Sequence, residues 1–440
     1  MAQVYAAEAN PEKSLFVYLI TRDIGLADAI VDLTDNSVNA ALKPLDNALS
    51  DEKDFRRLLE RTDPPKVTIR VSFNENQVSV EDDAAGINFA AAEKEIFRFG
   101  HTKEYDEQRD RLSVYGIGMK RAIFKIGDVI HMTSDSKSGG FDLNFHVSDW
   151  ASDSTPPWTF PITKRDPSDR TGTSIVISNL HPDIRSRISD SRFETELIQK
   201  LSKVYSFFLG RVVNIFVNKK EVPRTDFQVG ENYSRTEFAV GPVFCAVLAG
   251  IAPTLGLSFP ASASGWFVFC NYRTVLYADK TELTGWGVDL PTYQPKHRPF
   301  IGVVWFTSAD PEALPWTTTK SSVNPDSMVW QEARSKMEET ARPIIRLLDS
   351  RYSDQGTLLD PKQVADVSAK PASVFASTVT TPRTFFTPAV KTDRTIKIQY
   401  HKPRAEVARI QKHLGRSGMS GSEVGRVTFD YFLKNVVGGK

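Results

Sequence analysis

Gly116 and Gly118 open a predicted helix in the segment VYGIGMKRA, with Lys120 in its first turn. A helix N-terminus presents free backbone N–H groups and the positive end of the helix dipole, an arrangement that suits a phosphate. The segment is not a P-loop, which needs a four-residue gap and a Gly-Lys-Ser/Thr ending. Nor is it a dinucleotide fingerprint, because Arg121 stands where the third Gly belongs. Taken alone it reads equally well as an ordinary helix-initiating turn. Upstream, EDDAAGIN places Asp82 at the end of a predicted strand and Gly86 four residues later, in a turn where small residues let backbone approach a flat ligand. Downstream, RTGTSIVISNL sets Gly172 and Thr173 just before an apolar strand. Nearer the N-terminus, DLTDNSVNA puts Asp32, Asn36 and Asn39 on one face of a helix. Such a stripe can be a solvated face, but Ala27, Ile30, Val31, Leu33 and Ala40 leave it without a clean wet side.

The elements that must position these residues follow from periodicity. Residues 14–42 read as helical, closed by Pro44. The alternating KVTIRVS and QVSVED read as a hairpin joined by the polar turn FNEN. Residues 99–115 are charged and loop-like, GMKRAIFKIGD resumes a helical pattern, and DVIHMTSD, FDLNFHVS and TSIVISNL read as strands. Helices with hairpins around them imply an α+β layer structure rather than alternating parallel βαβ units. A second unit is expected to begin with the helix FETELIQKLSKVYSFFL and the strand VVNIFVN. It continues through SGWFVFCNYRTVLY and FIGVVWFTSA to a long helix starting near Pro325, in which Pro343 predicts a kink or break. Ser, Thr, Pro and Ala dominate residues 354–387, which marks a linker. The expected domains are therefore residues 1–185, 186–353, a linker at 354–390, and a small C-terminal region at 391–440.

A chain of 440 residues, 40% hydrophobic and 25% charged, belongs to the globular class and is long enough for two or three domains. Its net charge of +1 argues against a uniformly basic nucleic-acid coat. The charge is unevenly spread: residues 391–440 carry eleven Lys/Arg and four Asp/Glu, or +7, so the preceding residues sum to −6. That tail suits an acidic partner, DNA included, as well as it suits a solvated small domain. Cys245 and Cys270 are too few for a disulfide scaffold or a zinc cluster and are expected to be buried in a reducing cytoplasm. No window reaches about 18 apolar residues and the N-terminus lacks a basic region followed by an apolar core, so neither a membrane span nor export is expected.

Order and spacing together are more specific than any one motif. A helix with Asp32 and Asn36, then Asp82 with Gly86, then Gly116, Gly118 and Lys120, then Gly172 and Thr173, resembles the four boxes of the GHKL ATPase superfamily, which includes gyrase B, the ninety-kilodalton heat-shock chaperones, MutL and the MORC proteins. The resemblance spans residues 14–180, with a MORC-like flavour in FGHTK, YGIGMK and GTSIVISNL. It implies a Bergerat-type α/β sandwich that binds ATP with Mg²⁺. By the same resemblance Asn36 supplies its side-chain oxygen to Mg²⁺, Asp32 is the general base that orients the attacking water, and Asp82 accepts the adenine amino group. Gly86 leaves room for the ring, Gly116, Gly118 and Lys120 form the phosphate cradle of a lid, and Thr173 supports Asp82. Three positions depart from the family pattern: Asp32 replaces the usual Glu and is one methylene shorter, Ala84 replaces the first Gly of the adenine box, and Asn39 stands where several relatives carry Asp.

In the second unit LPWTTTKSSVNPDS resembles the transducer loop of gyrase-like and MutL-like ATPases, which implies that Lys320 reaches the third phosphate from an S5-like α/β domain. The resemblance as a whole implies slow ATP hydrolysis that drives lid closure and N-terminal homodimerisation, in a clamp acting on DNA or a protein client through the basic tail. A non-hydrolysing ATP-binding scaffold is the alternative that Asp32 supports. A histidine kinase is disfavoured, because no His-centred helix precedes the first box and such relatives carry an amide where Asp32 stands.

Overall fold

Strict alternation in VTIRVSF buries Ile69 and Val71 and exposes Arg70 and Ser72, the pattern of a strand with one covered face. This strand, β1 (Val67–Phe73), pairs antiparallel with β2 (Gln77–Asp82) across the polar turn that the sequence predicts. The computed structural model describes residues 12–43, 65–100, 112, 116–153, 157–253, 259–351, 372–375, 382–385 and 398–438. Most of the charged segment at 99–115 lies outside the described residues. The rest of the first sheet comprises β3 (Gly127–Asp135), β4 (Gly140–His146), β5 (Ile162–Arg165), β6 (Gly172–Leu180), β7 (Val213–Val217) and β8 (Lys220–Glu221). Its order is β5-β4-β3-β6-β2-β1-β7-β8, antiparallel throughout except where β7 runs parallel to β1.

Two helices, α2 (Leu26–Leu42) and α3 (Gly118–Ile126), pack against one another and against this sheet, and the preceding α1 (Lys13–Thr21) packs on α3. The expected single helix over 14–42 is thus two, because Gly25 adopts extended backbone and caps α2. Nearly every residue of α2 is buried, Asp32, Asp35, Ser37 and Asn39 among them, so its polar stripe is not a solvated face. After the short α4 (Val147–Ser152) and α5 (Pro182–Ile188), α6 (Phe193–Val204) ends sooner than its sequence suggests, and Tyr205 follows as a fully buried residue.

After the short β9 (Gln228–Val229), the second sheet has the order β10-β11-β14-β12-β13, built from β10 (Tyr233–Val240), β11 (Val243–Ile251), β12 (Gly265–Cys270), β13 (Arg273–Asp279) and β14 (Phe300–Thr307). The long helix α7 (Met328–Arg351) packs on β11, β10 and β14 and runs unbroken through Pro343, where a kink or break was expected. Both cysteines are buried and free. Two boundaries differ from expectation. β7 and β8 complete the first sheet, so no sheet boundary falls between residues 185 and 186. Within the expected linker, Ala372 and Ser373 pair with Gln228–Val229, Arg383 pairs with Arg235, and Val374, Phe375 and Phe385 are buried. Burial of these apolar side chains offsets the ordering entropy of the described residues 372–375 and 382–385.

Contacts divide the chain into two units, residues 1–351 with 359–389, and residues 352–358 with 390–440. The second unit contains α8 (Arg404–His413) and α9 (Gly421–Phe432), the latter started by a reciprocal Ser420–Glu423 capping box.

Within the first unit the two sheets are joined by ions. Asp35 of α2 is 1% exposed. Its Oδ1 accepts hydrogen bonds from Arg273 Nε (2.9 Å) and the Tyr205 hydroxyl (2.8 Å), and its Oδ2 accepts one from Lys320 Nζ (2.8 Å). A two-residue hairpin turn with positive φ at Asn271 and Tyr272 delivers Arg273. Lys320 comes from the loop after β14, with its own φ at +52° and its carbonyl oxygen accepting from Arg273 Nη1 at 2.7 Å. Although burial opposes ionisation, Arg273 and Lys320 hold the Asp35 pKa below the usual carboxylate range. Removing one partner of a buried pair leaves an uncompensated charge, so Arg273→Met should lower the unfolding free energy by about 3 kcal/mol. The same change on an Asp35→Asn background should cost clearly less. Urea unfolding followed by tryptophan fluorescence measures both, and equal losses on the two backgrounds would show that the pair does not couple the sheets.

Candidate functional site

Between α2, the turn after β2, β6 and the start of α3 lies an open cleft. Asn36, Asp82, Gly86, Gly116, Gly118, Lys120 and Thr173 all line it. Seven of the nine residues singled out in the sequence therefore converge on one cavity. Asp32 and Lys320 are not part of its lining.

One wall is built around Asp82, the last residue of β2 and the register partner of Thr173 on β6. The Ser37 hydroxyl of α2 donates to its Oδ2 at 2.7 Å and the Ala84 N–H to its Oδ1 at 3.1 Å, with a further hydrogen bond from the Thr173 backbone. Burial pushes the Asp82 pKa up and these donors draw it back. Ser134 of β3, 1% exposed, ties the neighbouring turns together: its hydroxyl oxygen accepts from Ile87 N–H at 2.8 Å and lies 2.8 Å from Thr173 Oγ1.

The glycine at 86 serves this stapling rather than the open space of the cavity. With φ at +70°, a Cβ there would stand 1.9 Å from the Asp135 carbonyl oxygen, so only glycine lets the turn lie against β3. Ala84, by contrast, is buried and needs no positive φ.

The facing wall carries the cation. Lys120 is 1% exposed, and its Nζ donates to the carbonyl oxygens of Ile96 (2.9 Å) and Arg98 (2.6 Å) and sits 5.4 Å from the Phe99 ring centre. No carboxylate partners it among the described residues, and burial pulls its pKa down to about 7. Asn36 donates Nδ2 to the Asp32 carbonyl oxygen at 3.1 Å, leaving its side-chain oxygen as the group available to the cleft. Asn39 accepts from Leu112 N–H at 2.9 Å, while its buried Nδ2 has no partner among the described residues.

Behind this wall lie the two residues that are absent from the lining. The Asp32 carboxylate is 3.7–3.9 Å from where a Cβ on Gly118 would stand, and its Oδ2 accepts from Arg121 Nε (3.0 Å) and Nη2 (2.5 Å). Lys320 is held by Asp35, one helical turn along from Asp32. Sequence reasoning passed over Ser37, Ser134, Asp35 and Arg273, and treated Arg121 only as a missing glycine. Ser37 and Asp35 lie inside the DLTDNSVNA segment and could have been flagged there. Ser134 and Arg273 carry no local signal, since tertiary pairing alone brings them in.

Among the described residues no helix is long and apolar enough to cross a membrane, and no cluster of three His, Cys, Asp or Glu side chains could hold a metal ion. No curated protein matches the chain. Residues 24–171, which carry every cleft residue named above except those of β6, match the family model described as Histidine kinase-, DNA gyrase B-, and HSP90-like ATPase.

Proposed function

We propose that this chain is a Mg²⁺-dependent ATPase of the GHKL type, with a MORC-like nucleotide domain and a transducer-like second sheet. Slow turnover drives lid closure and N-terminal dimerisation in a clamp on DNA or a protein client. The observation that carries the reading is Lys120, a buried ammonium without a carboxylate, in one cleft with the Gly116–Gly118 turn and the hydrogen-bonded Asp82. A polyphosphate supplies the missing counter-charge and the Asp82 carboxylate an acceptor for an exocyclic amine.

The residues fit a magnesium nucleotide. Asn36 offers one neutral oxygen and no acidic cluster surrounds it among the described residues, so a cation here would take its remaining ligands from phosphate and water, as Mg²⁺ does. When bound, Mg²⁺ would neutralise phosphate charge and orient the leaving group. Asp32 would accept the proton of the attacking water, Lys120 would hold phosphate oxygens, and Lys320 would exchange Asp35 for the third phosphate. Phosphoryl transfer asks for little covalent chemistry beyond this positioning.

A second reading, a non-hydrolysing ATP-gated scaffold, is favoured by the position of Asp32 and Lys320 outside the cavity lining. Phosphate release from purified protein with Mg²⁺ and ATP separates the two. Turnover abolished by Asp32→Asn, with ATP binding kept, supports the ATPase. ATP binding without turnover in wild type supports the scaffold, and absence of binding overturns both. Asn36→Ala should weaken Mg²⁺-dependent binding about tenfold or more, a loss equal to about 1.4 kcal/mol.

Lys120 adds a proton signature. Its pKa near 7 in the free protein must rise beside phosphate, so ATP binding takes up a proton between that value and the bound one. Affinity should be greatest below about pH 7 and fall as pH rises. Calorimetry at pH 8 in buffers of different ionisation enthalpy should detect this uptake in wild type and not in Lys120→Met. For the client, DNA binding that falls steeply with salt and disappears on deleting residues after Asp393 favours DNA; binding that is salt-insensitive or absent favours a protein.

A further inference from the structure

Arg121 follows the phosphate-facing Lys120 on α3, yet it points the other way. Its side chain is 7% exposed and directs two N–H groups at a single oxygen, Asp32 Oδ2. Asp32 Oδ1 takes no hydrogen bond among the described residues and lies on the side of Gly118, whose missing side chain leaves the carboxylate next to the cleft lining. An unpaired buried Asp in this place would be protonated and free to rotate. Arg121 fixes which oxygen is engaged and which remains available.

We propose that Arg121 is the positioning residue for the general base, holding the shorter Asp32 side chain by one oxygen so that the other is presented toward Gly118 and the cleft. This rests on the ATPase reading above. In the step concerned, Asp32 Oδ1 takes a proton from water as the water oxygen bonds to the terminal phosphorus. The bond from that phosphorus to the bridging oxygen breaks, and ADP leaves with the electron pair. The charged and titratable groups around Asp32 are Arg121 from α3, Lys320 from the loop after β14, and Asp35 from α2 itself, with Arg273 and Tyr205 behind Asp35. Burial raises the Asp32 pKa, and Lys320 and then Arg121 oppose it.

The test uses the full chain with Mg²⁺ and ATP, measuring kcat, KM and nucleotide binding for wild type, Arg121→Met and Arg121→Lys. For Arg121→Met, kcat should fall about 100-fold with KM within about threefold. Arg121→Lys, which keeps the charge with a different donor geometry, should restore only part of the rate. If Arg121→Met does not fold, as judged by lost nucleotide binding, the lysine variant decides: an unchanged rate overturns the proposal, and a reduced kcat with KM and nucleotide binding kept supports it. Equal or faster turnover in Arg121→Met, or a loss carried by KM rather than kcat, overturns the positioning role and leaves the ATPase standing. Wild-type protein that binds ATP without turnover overturns both.

Discussion

The Asp35 carboxylate is the point on which this structure turns. A buried ion costs several kcal/mol in lost hydration, and only complete pairing offsets it. Here the pairing comes from three places far apart in sequence: Tyr205 after α6, Arg273 at the head of β13 and Lys320 beyond β14. Arg273 and Lys320 can reach Asp35 only if the second sheet is seated against α2. The same helix presents Asn36 to the cleft and Ser37 to Asp82, on successive positions. Any shift of the second sheet that disturbs Asp35 is therefore applied directly to the helix that lines the cleft.

The two charges behind the cleft form a related pattern. Asp32 and Asp35 lie three residues apart on α2, and each is paired to a cation from a different element, Arg121 and Arg273 with Lys320. Lys120 alone among these buried cations is satisfied by carbonyl oxygens and an aromatic ring. It holds the backbone at Ile96 and Arg98, next to Phe99, whose ring packs against Phe16, Trp150, Trp158 and Phe160. A ligand that draws Lys120 away loosens a contact of the segment leading into residues 101–111.

Much of this was legible in the sequence where the signal is local. Alternation in β1, β2 and β6 and the glycine pair before α3 mark their elements and bring Asp82, Gly86, Gly116, Gly118, Lys120 and Thr173 to one cleft. The reason for a glycine was less legible than its position: Gly86 is required by the Asp135 carbonyl, a neighbour 49 residues later that no local pattern announces. Long-range pairing explains the other differences as well. The parallel partnership of β1 with β7 moves the sheet boundary past residue 185, and strand pairing of residues 372–373 orders part of a segment whose composition reads as linker. Asp32 stands out by type and spacing, but its ion pair with Arg121 depends on the rotation of α3 against α2, which spacing cannot fix.

The sheet order sets a limit on modularity. β6 sits between β3 and β2, at the middle of the sheet, and begins at residue 172, while β7 covers the far edge of β1. The segment that matches the family model ends at residue 171. A piece cut there would lose its central strand, leave β2 and β3 each with an open edge, and strip Asp82 of its partner across the ladder. The cleft is thus not a cassette that can be lifted out or exchanged at the borders of its recognisable motifs. Recombination or truncation would preserve it only when the exchanged piece carries the strands as far as residue 221, and the buried Asp35 would still call for its partners from the second sheet.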